Sequence, residues 1–265
     1  MDAQRKALNA LFVLISFAAA VFSIDGPALA RPALAPQAVA ELIDGGLQSG
    51  LRYAGLRIRL PGEALTYWRD PGEAGVAPVF DFSASENLER AEPLFPLPQR
   101  FEEGGAQAIG YRHEVVFPLR LVARDAAKTI GLAVAVDYAV CDRLCLPMHA
   151  VLRLDLAPAG EAAPGFDAAL AATPRRLAPK ETEVFAQATR VSEGGAKLQW
   201  RLRLLDLGRD LFVEAPPGFF FESQGHGGDF LLTLAEHPAE KNVPDAPLRL
   251  TLAGEPPVEF WLSLK

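Results

Sequence analysis

The chain has 265 residues, 50% of them hydrophobic and 22% charged, enough for a real core and close to globular averages. A formal net charge of −7 excludes the cationic surface that displaces counterions from phosphates, so no nucleic-acid partner is expected. Two cysteines and four histidines exclude a disulfide-dense scaffold and a four-thiolate zinc site. What remains is one pair of thiols in a turn-rich chain with 22 Gly and 22 Pro.

Residues 1–30 read as an exported leader. Arg5 and Lys6 form a positive start, residues 7–24 carry no charge, and Ala28-Leu29-Ala30 has the small-x-small form of a cleavage site. The competing reading is an uncleaved anchor, weakened by Asn9, Ser16 and Ser23. Either way the body is expected outside the cytoplasm, where disulfides persist.

Beyond the leader the dominant period is two, which sends alternate side chains to opposite sheet faces. Leu56, Ile58 and Leu60 alternate with Arg57 and Arg59, and Ile130, Leu132, Val134, Val136 and Tyr138 share one face of a strand that runs into Cys141. Residues 115–122 and 151–156 behave alike, and Pro118 predicts an edge or bulge for the former. Around residue 160 the run Ala157-Pro158-Ala159-Gly160-Glu161-Ala162-Ala163-Pro164-Gly165 has the composition of an interdomain linker. A short helix follows at Phe166, Leu170 and Ala171, stopped by Pro174. Strands then resume at Leu198–Leu204, Leu248–Leu252 and Val258–Leu264, and Phe219-Phe220-Phe221 reads as a strand entering a second core. The expected fold is all-β: two tandem antiparallel β-sandwiches after a signal peptide, the first over 31–158 and the second over 166–265.

The chemistry lies in Tyr138-Ala139-Val140-Cys141-Asp142-Arg143-Leu144-Cys145-Leu146-Pro147. If oxidised, Cys141 and Cys145 close a ring of five residues, for which loop entropy gives about 2 kcal/mol, against about 4.7 for a hundred-residue loop. So weak a staple suits a bond made to be opened and closed. Thiol-disulfide exchange needs an attacking thiolate and a neighbouring thiol to resolve the mixed disulfide, and the pair supplies both. Arg143 favours a thiolate and Asp142 opposes it. Two alternatives stay open: a structural disulfide in a scaffold module, and Cu(I) held by the soft ligands Cys141, Cys145, Met148 and His149. The copper reading borrows from the Cys-x-x-x-Cys-Pro signature of Sco-type chaperones. Leu146 interrupts that signature, and residues 151–156 alternate as a strand where a thioredoxin-like fold needs a helix.

Three phrases occur in a familiar order: Thr66-Tyr67-Trp68-Arg69-Asp70-Pro71-Gly72-Glu73-Ala74-Gly75, then Gly110-Tyr111-Arg112-His113-Glu114-Val115-Val116-Phe117-Pro118, then the cysteine segment. Over roughly residues 38–158 the chain resembles the N-terminal periplasmic domain of DsbD/ScsB-type thiol:disulfide interchange proteins. That resemblance implies an immunoglobulin-like redox module, needing no cofactor, that takes electrons from a membrane-embedded thiol donor and passes them to periplasmic thioredoxin-like acceptors. Cytochrome c maturation and copper tolerance are the settings it suggests. It implies that Cys145 engages the partner and Cys141 resolves, under an aromatic cap that shields the pair until a partner docks. Tyr67 and Trp68 are the candidates for that cap on fold analogy, with core packing as the alternative. Tyr111 and Tyr138 are candidates for a supporting shell, Tyr138 by burial beside the cysteines. The three-residue spacing between the cysteines is shorter than in the best-known members. The chain carries neither the multi-span membrane domain nor the terminal thioredoxin domain of full-length reductases, so the donor is expected in trans. A Gly-x-Ser-x-Gly elbow, a His-Glu-x-x-His helix and a phosphate loop are all absent from the sequence.

Overall fold

Alternation along the strands builds the molecule. A computed structural model describes residues 37–72, 75–103, 105–191, 197–205, 208–239 and 243–264; the expected leader over residues 1–30 lies outside them. Ten strands come first: β1 (Val39–Gln48), β2 (Leu51–Arg59), β3 (Leu65–Gly72), β4 (Val79–Asp81), β5 (Leu88–Pro93), β6 (Gln99–Glu103), β7 (Ala106–Arg112), β8 (Glu114–Ala123), β9 (Ile130–Cys141) and β10 (Cys145–Leu156). They form one sheet in the order β1-β2-β8-β5 and another in the order β10-β9-β3-β7-β6, with β4 also on β9. Leu56 and Ile58 from the first sheet meet Leu132, Val134 and Val136 from the second in one core. Arg57 and Arg59, on the outer side of β2, instead pair with Glu41 and Glu114. The all-β, antiparallel, immunoglobulin-like class expected from the sequence is the one observed.

One strand departs from expectation. Pro118 does not mark an edge: β8 lies between β2 and β5, with Pro118 opposite Gly55. The imino acid is tolerated because β5 ends at Pro93, opposite Leu119, and only the Leu94 N–H reaches across to the Pro118 carbonyl, at 2.7 Å.

The segment 157–165 does not leave the first two sheets. Ala163 N–H donates to the Asp44 carbonyl at 2.8 Å, Arg52 Nε to the Ala157 carbonyl at 3.0 Å, and Arg57 Nη2 to the Pro164 carbonyl at 2.6 Å. Small residues permit this approach, since a Cβ on Gly160 would lie 2.6 Å from Asp44 Oδ2. Helix α1 (Phe166–Ala171) then buries Phe166 against Tyr53, Ile43 and Val116.

The remaining elements are β11 (Arg175–Arg176), α2 (Pro179–Phe185), β12 (Ala186–Val191), β13 (Gln199–Leu204), β14 (Leu211–Glu214), β15 (Phe220–His226), β16 (Asp229–Glu236), β17 (Leu248–Leu252) and β18 (Val258–Leu262). They give sheets ordered β11-β18-β17-β14 and β12-β13-β16-β15. Trp200, Leu202, Leu232, Leu250 and Phe260 fill a second core. The expected Phe219–Phe221 strand splits by parity, Phe221 buried and Phe220 exposed. The described residues fall in one compact unit, and Phe212 of β14 belongs to the first core rather than the second.

Candidate functional site

Strand β9 has two faces of different character. Ile130, Leu132, Val134, Val136, Tyr138 and Val140 point into the main core. The opposite parity brings Ala139 and Cys141 out onto the far side of the sheet, where they join Leu65, Tyr67 and Ala108 in a small separate cluster. Cys141 is 1% exposed. The chain turns through the exposed residues Asp142, Arg143 and Leu144 and returns as β10 with Cys145 directly opposite Cys141. The two are joined as a disulfide with Cα atoms 4.0 Å apart.

The two halves of this bond differ in environment. Cys145 is an exposed residue on β10, the edge strand of its sheet, flanked by Leu144 and Leu146 at 70% and 50% exposure. Cys141 is enclosed, and its sulfur accepts a hydrogen bond from the Tyr67 hydroxyl at 2.8 Å; the same hydroxyl lies 3.7 Å from Cys145 Sγ. Strand β3 is fixed beneath it by Thr66 Oγ1, which donates to the Ala139 carbonyl at 2.8 Å. Gly75 allows the chain after β3 to pass over Tyr67, because a Cβ there would come within 2.5 Å of the ring.

Of the four aromatic residues expected around the cysteines, the structure brings Tyr67 to the sulfurs and places the other three in the main core. Trp68 follows Tyr67 in β3 and so faces the other way, fully buried with its ring 5.6 Å from Phe212. Tyr111 is buried against Phe117 and donates to the Pro96 carbonyl at 2.8 Å. Burial pushes its phenol well above the ordinary value of 10. Tyr138 is three residues before Cys141, an odd spacing that puts it on the opposite face; burial raises its phenol too.

Phe101 of β6, absent from the sequence-based candidates, packs against the cluster that contains Cys141 and Tyr67. The Arg112 guanidinium stacks over its ring at 4.6 Å. Its only signal in sequence is one aromatic in the charged run Arg100-Phe101-Glu102-Glu103 ahead of the Gly104-Gly105 pair, a composition that favours a turn.

The proposed Cu(I) ligands are not assembled. Met148 lies opposite Tyr138 and packs on the main core, on the other face from Cys145. His149 stands four residues along the strand from Cys145, roughly 13 Å at strand rise, and its Nδ1 is 2.7 Å from Asp137 Oδ1. Among the described residues no group of three or more His, Cys, Asp or Glu is placed to hold a metal. No helix among them is long and apolar enough to cross a membrane.

An exposed cysteine bonded to a buried one, with a phenol on the buried partner, has the parts that disulfide exchange requires: an approach side and a stabilised leaving group. No curated protein matches the chain. Among solved structures, the N-terminal periplasmic domain of ScsB from Proteus mirabilis superposes with a TM-score of 0.60 at 19% identity, covering 86% of this chain and 91% of that one. Residues 34–156 match the family described as thiol:disulfide interchange protein DsbD, N-terminal. The segment that carries the Cys141–Cys145 pair is thus the part of the chain that matches the DsbD-type N-terminal, thiol:disulfide interchange family, and the superposition shows a shared fold.

Proposed function

We propose that the chain is a periplasmic electron relay working by thiol-disulfide exchange at Cys145 and Cys141, with a membrane-embedded dithiol as donor and thioredoxin-like proteins as acceptors. On this reading residues 31–158 are the redox domain and 166–265 a second sandwich domain. The observation that carries it is the asymmetry of the pair: Cys145 exposed, Cys141 enclosed with its sulfur on the Tyr67 hydroxyl.

The donor's thiolate attacks Cys145 Sγ, and the electron pair of the old bond leaves on Cys141, whose thiolate accepts the Tyr67 O–H. The donor's second thiolate then attacks its own bridged sulfur and releases Cys145 as thiolate. Two electrons have moved, the donor is a disulfide, and the pair is a dithiol once protons equilibrate with water. In the forward step Cys145 thiolate attacks the acceptor disulfide, Cys141 attacks Cys145 Sγ, and the acceptor leaves as a dithiol. Phe101, on its hairpin over the Cys141 cluster, serves as the aromatic cover that a partner must displace.

The test is trapping. With Cys141→Ser the Cys145 mixed disulfide cannot be resolved, and mass spectrometry of the adduct from cells is expected to find a thioredoxin-fold protein or a membrane thiol protein. A wild-type pair that resists mild dithiols, together with an empty trap, overturns the relay in favour of a structural disulfide.

A further inference from the structure

Tyr67 and Phe101 shape the cysteine site, and each has an arginine neighbour that reaches into the second half of the chain, Arg100 while also donating from Nη1 to Gln107 Oε1 of β7 at 2.6 Å. Two residues after Tyr67, Arg69 Nε contacts Glu214 Oε1 and Oε2 at 3.1 and 3.0 Å; its Nη2 reaches Glu214 Oε1 and Glu259 Oε2, each at 2.7 Å, and Thr251 Oγ1 at 3.2 Å. Next to Phe101, Arg100 donates from Nε to Asp210 Oδ2 at 2.8 Å and from Nη2 to the Leu211 carbonyl at 2.7 Å and Ser223 Oγ at 3.2 Å. Phe212 lies between the two, its ring against Trp68 and 4.8 Å beneath the Arg100 guanidinium. The pairing of β3 with β7 is regular to Tyr67, breaks, and resumes only at Gly72. In that interval the ladder does not hold β3; Arg69 and Trp68 do.

We infer that Arg69 and Arg100 are positioning residues for thiol-disulfide exchange, acting through Tyr67 and Phe101, and that residues 210–259 are thereby part of the redox apparatus. Arg69, clamped by a two-oxygen carboxylate contact, fixes the end of β3 and with it the Tyr67 hydroxyl on Cys141. Arg100 fixes β6 and holds Phe101 over the cluster. The inference rests on the exchange reading above and names residues through which that site is tuned.

The experiment uses the full chain and two readouts, the equilibrium of the pair with glutathione and the rate of its reduction by dithiothreitol. Tyr67→Phe removes the hydrogen bond that favours the thiolate and is expected to shift the equilibrium about tenfold toward the disulfide, about 30 mV for a two-electron couple. Glu214→Gln, which loosens the Arg69 clamp while keeping its size, is expected to shift it the same way. The double variant is expected to match Tyr67→Phe alone, because both act on one contact. Asp210→Asn is expected to speed reduction several-fold, as Phe101→Ala does, with no further gain in their double variant. Phe212→Leu is the second route to both effects if a charge variant does not fold, which thermal unfolding reports. Folded variants with wild-type equilibrium and rate, or effects that add to those of Tyr67→Phe and Phe101→Ala, overturn the positioning role and leave the exchange reading standing. A wild-type pair that neither reagent reduces overturns the exchange reading itself.

Discussion

Tyr67 and Trp68 are adjacent and do opposite things. One rule decides it: in a strand, neighbours face opposite sides, so one of the two had to go to the core while the other went to the sulfurs. The same parity separates Tyr138 from Cys141 and Met148 from Cys145. These assignments were legible in the sequence once β9 and β10 were read as strands, whereas the Tyr67 contact to Cys141 was not, because it depends on how β3 lies beside β9. Tyr111 gives a test at this scale. Tyr111→Phe leaves the buried Pro96 carbonyl without its donor and is expected to cost about 1–3 kcal/mol in urea unfolding at pH 7. Burial raises the Tyr111 phenol above 10 in the folded state. The stability this contributes is present below pH 10 and is lost as pH rises through the folded value. The wild type should therefore lose stability between pH 9 and 11 more steeply than Tyr111→Phe does.

Among the elements, the regular strands announced themselves and the irregular ones did not. β9, β13, β17 and β18 follow their period of two, and β2 does so from Leu56 to Arg59, so their core residues could be named from sequence. β3 has an interrupted pairing with β7, and β6 is a short, charged hairpin arm, so neither gave a pattern that pointed to the cysteines. Both are where the site residues Tyr67 and Phe101 sit. The closeness of β7 to β3 can be tested at Gly110, where an added Cβ would overlap the Thr66 carbonyl oxygen. Since the obstacle is backbone, it cannot swing away, and Gly110→Ala is expected to destabilise by about 1–3 kcal/mol, read by urea denaturation. Gly75→Ala meets Pro71 Cβ and the Tyr67 ring instead, so its expected effect includes the glutathione equilibrium, in the direction of Tyr67→Phe.

For the whole molecule, the run of Ala, Pro and Gly around residue 160 had the composition of a free linker, but composition cannot show that the segment is strapped to β1 and β2 by hydrogen bonds. Nor could it show that Phe212 would cross into the first core. Truncating that ring, Phe212→Ala, is expected to cost about 3–5 kcal/mol and to lower the thermal midpoint. Asp70, next to Arg69, has a carboxyl raised above its ordinary 3.8, first by burial and then by Glu214. With a raised folded value, the stability contributed by its protonated form is present below 3.8 and lost as pH rises through that value. Asp70→Asn should therefore be more stable than wild type at pH 7 in urea, with the difference vanishing near pH 3.

The hairpin that carries Cys141 and Cys145 has a consequence for endurance. Eleven further residue pairs of β9 and β10 continue the ladder behind the cysteine pair, so the strands stay zipped whichever oxidation state the sulfurs hold. Reductant is accordingly expected to lower the unfolding free energy read from urea denaturation by no more than the roughly 2 kcal/mol of a five-residue ring. A protein that barely feels the loss of its cross-link can wait, loaded or spent, for the next encounter.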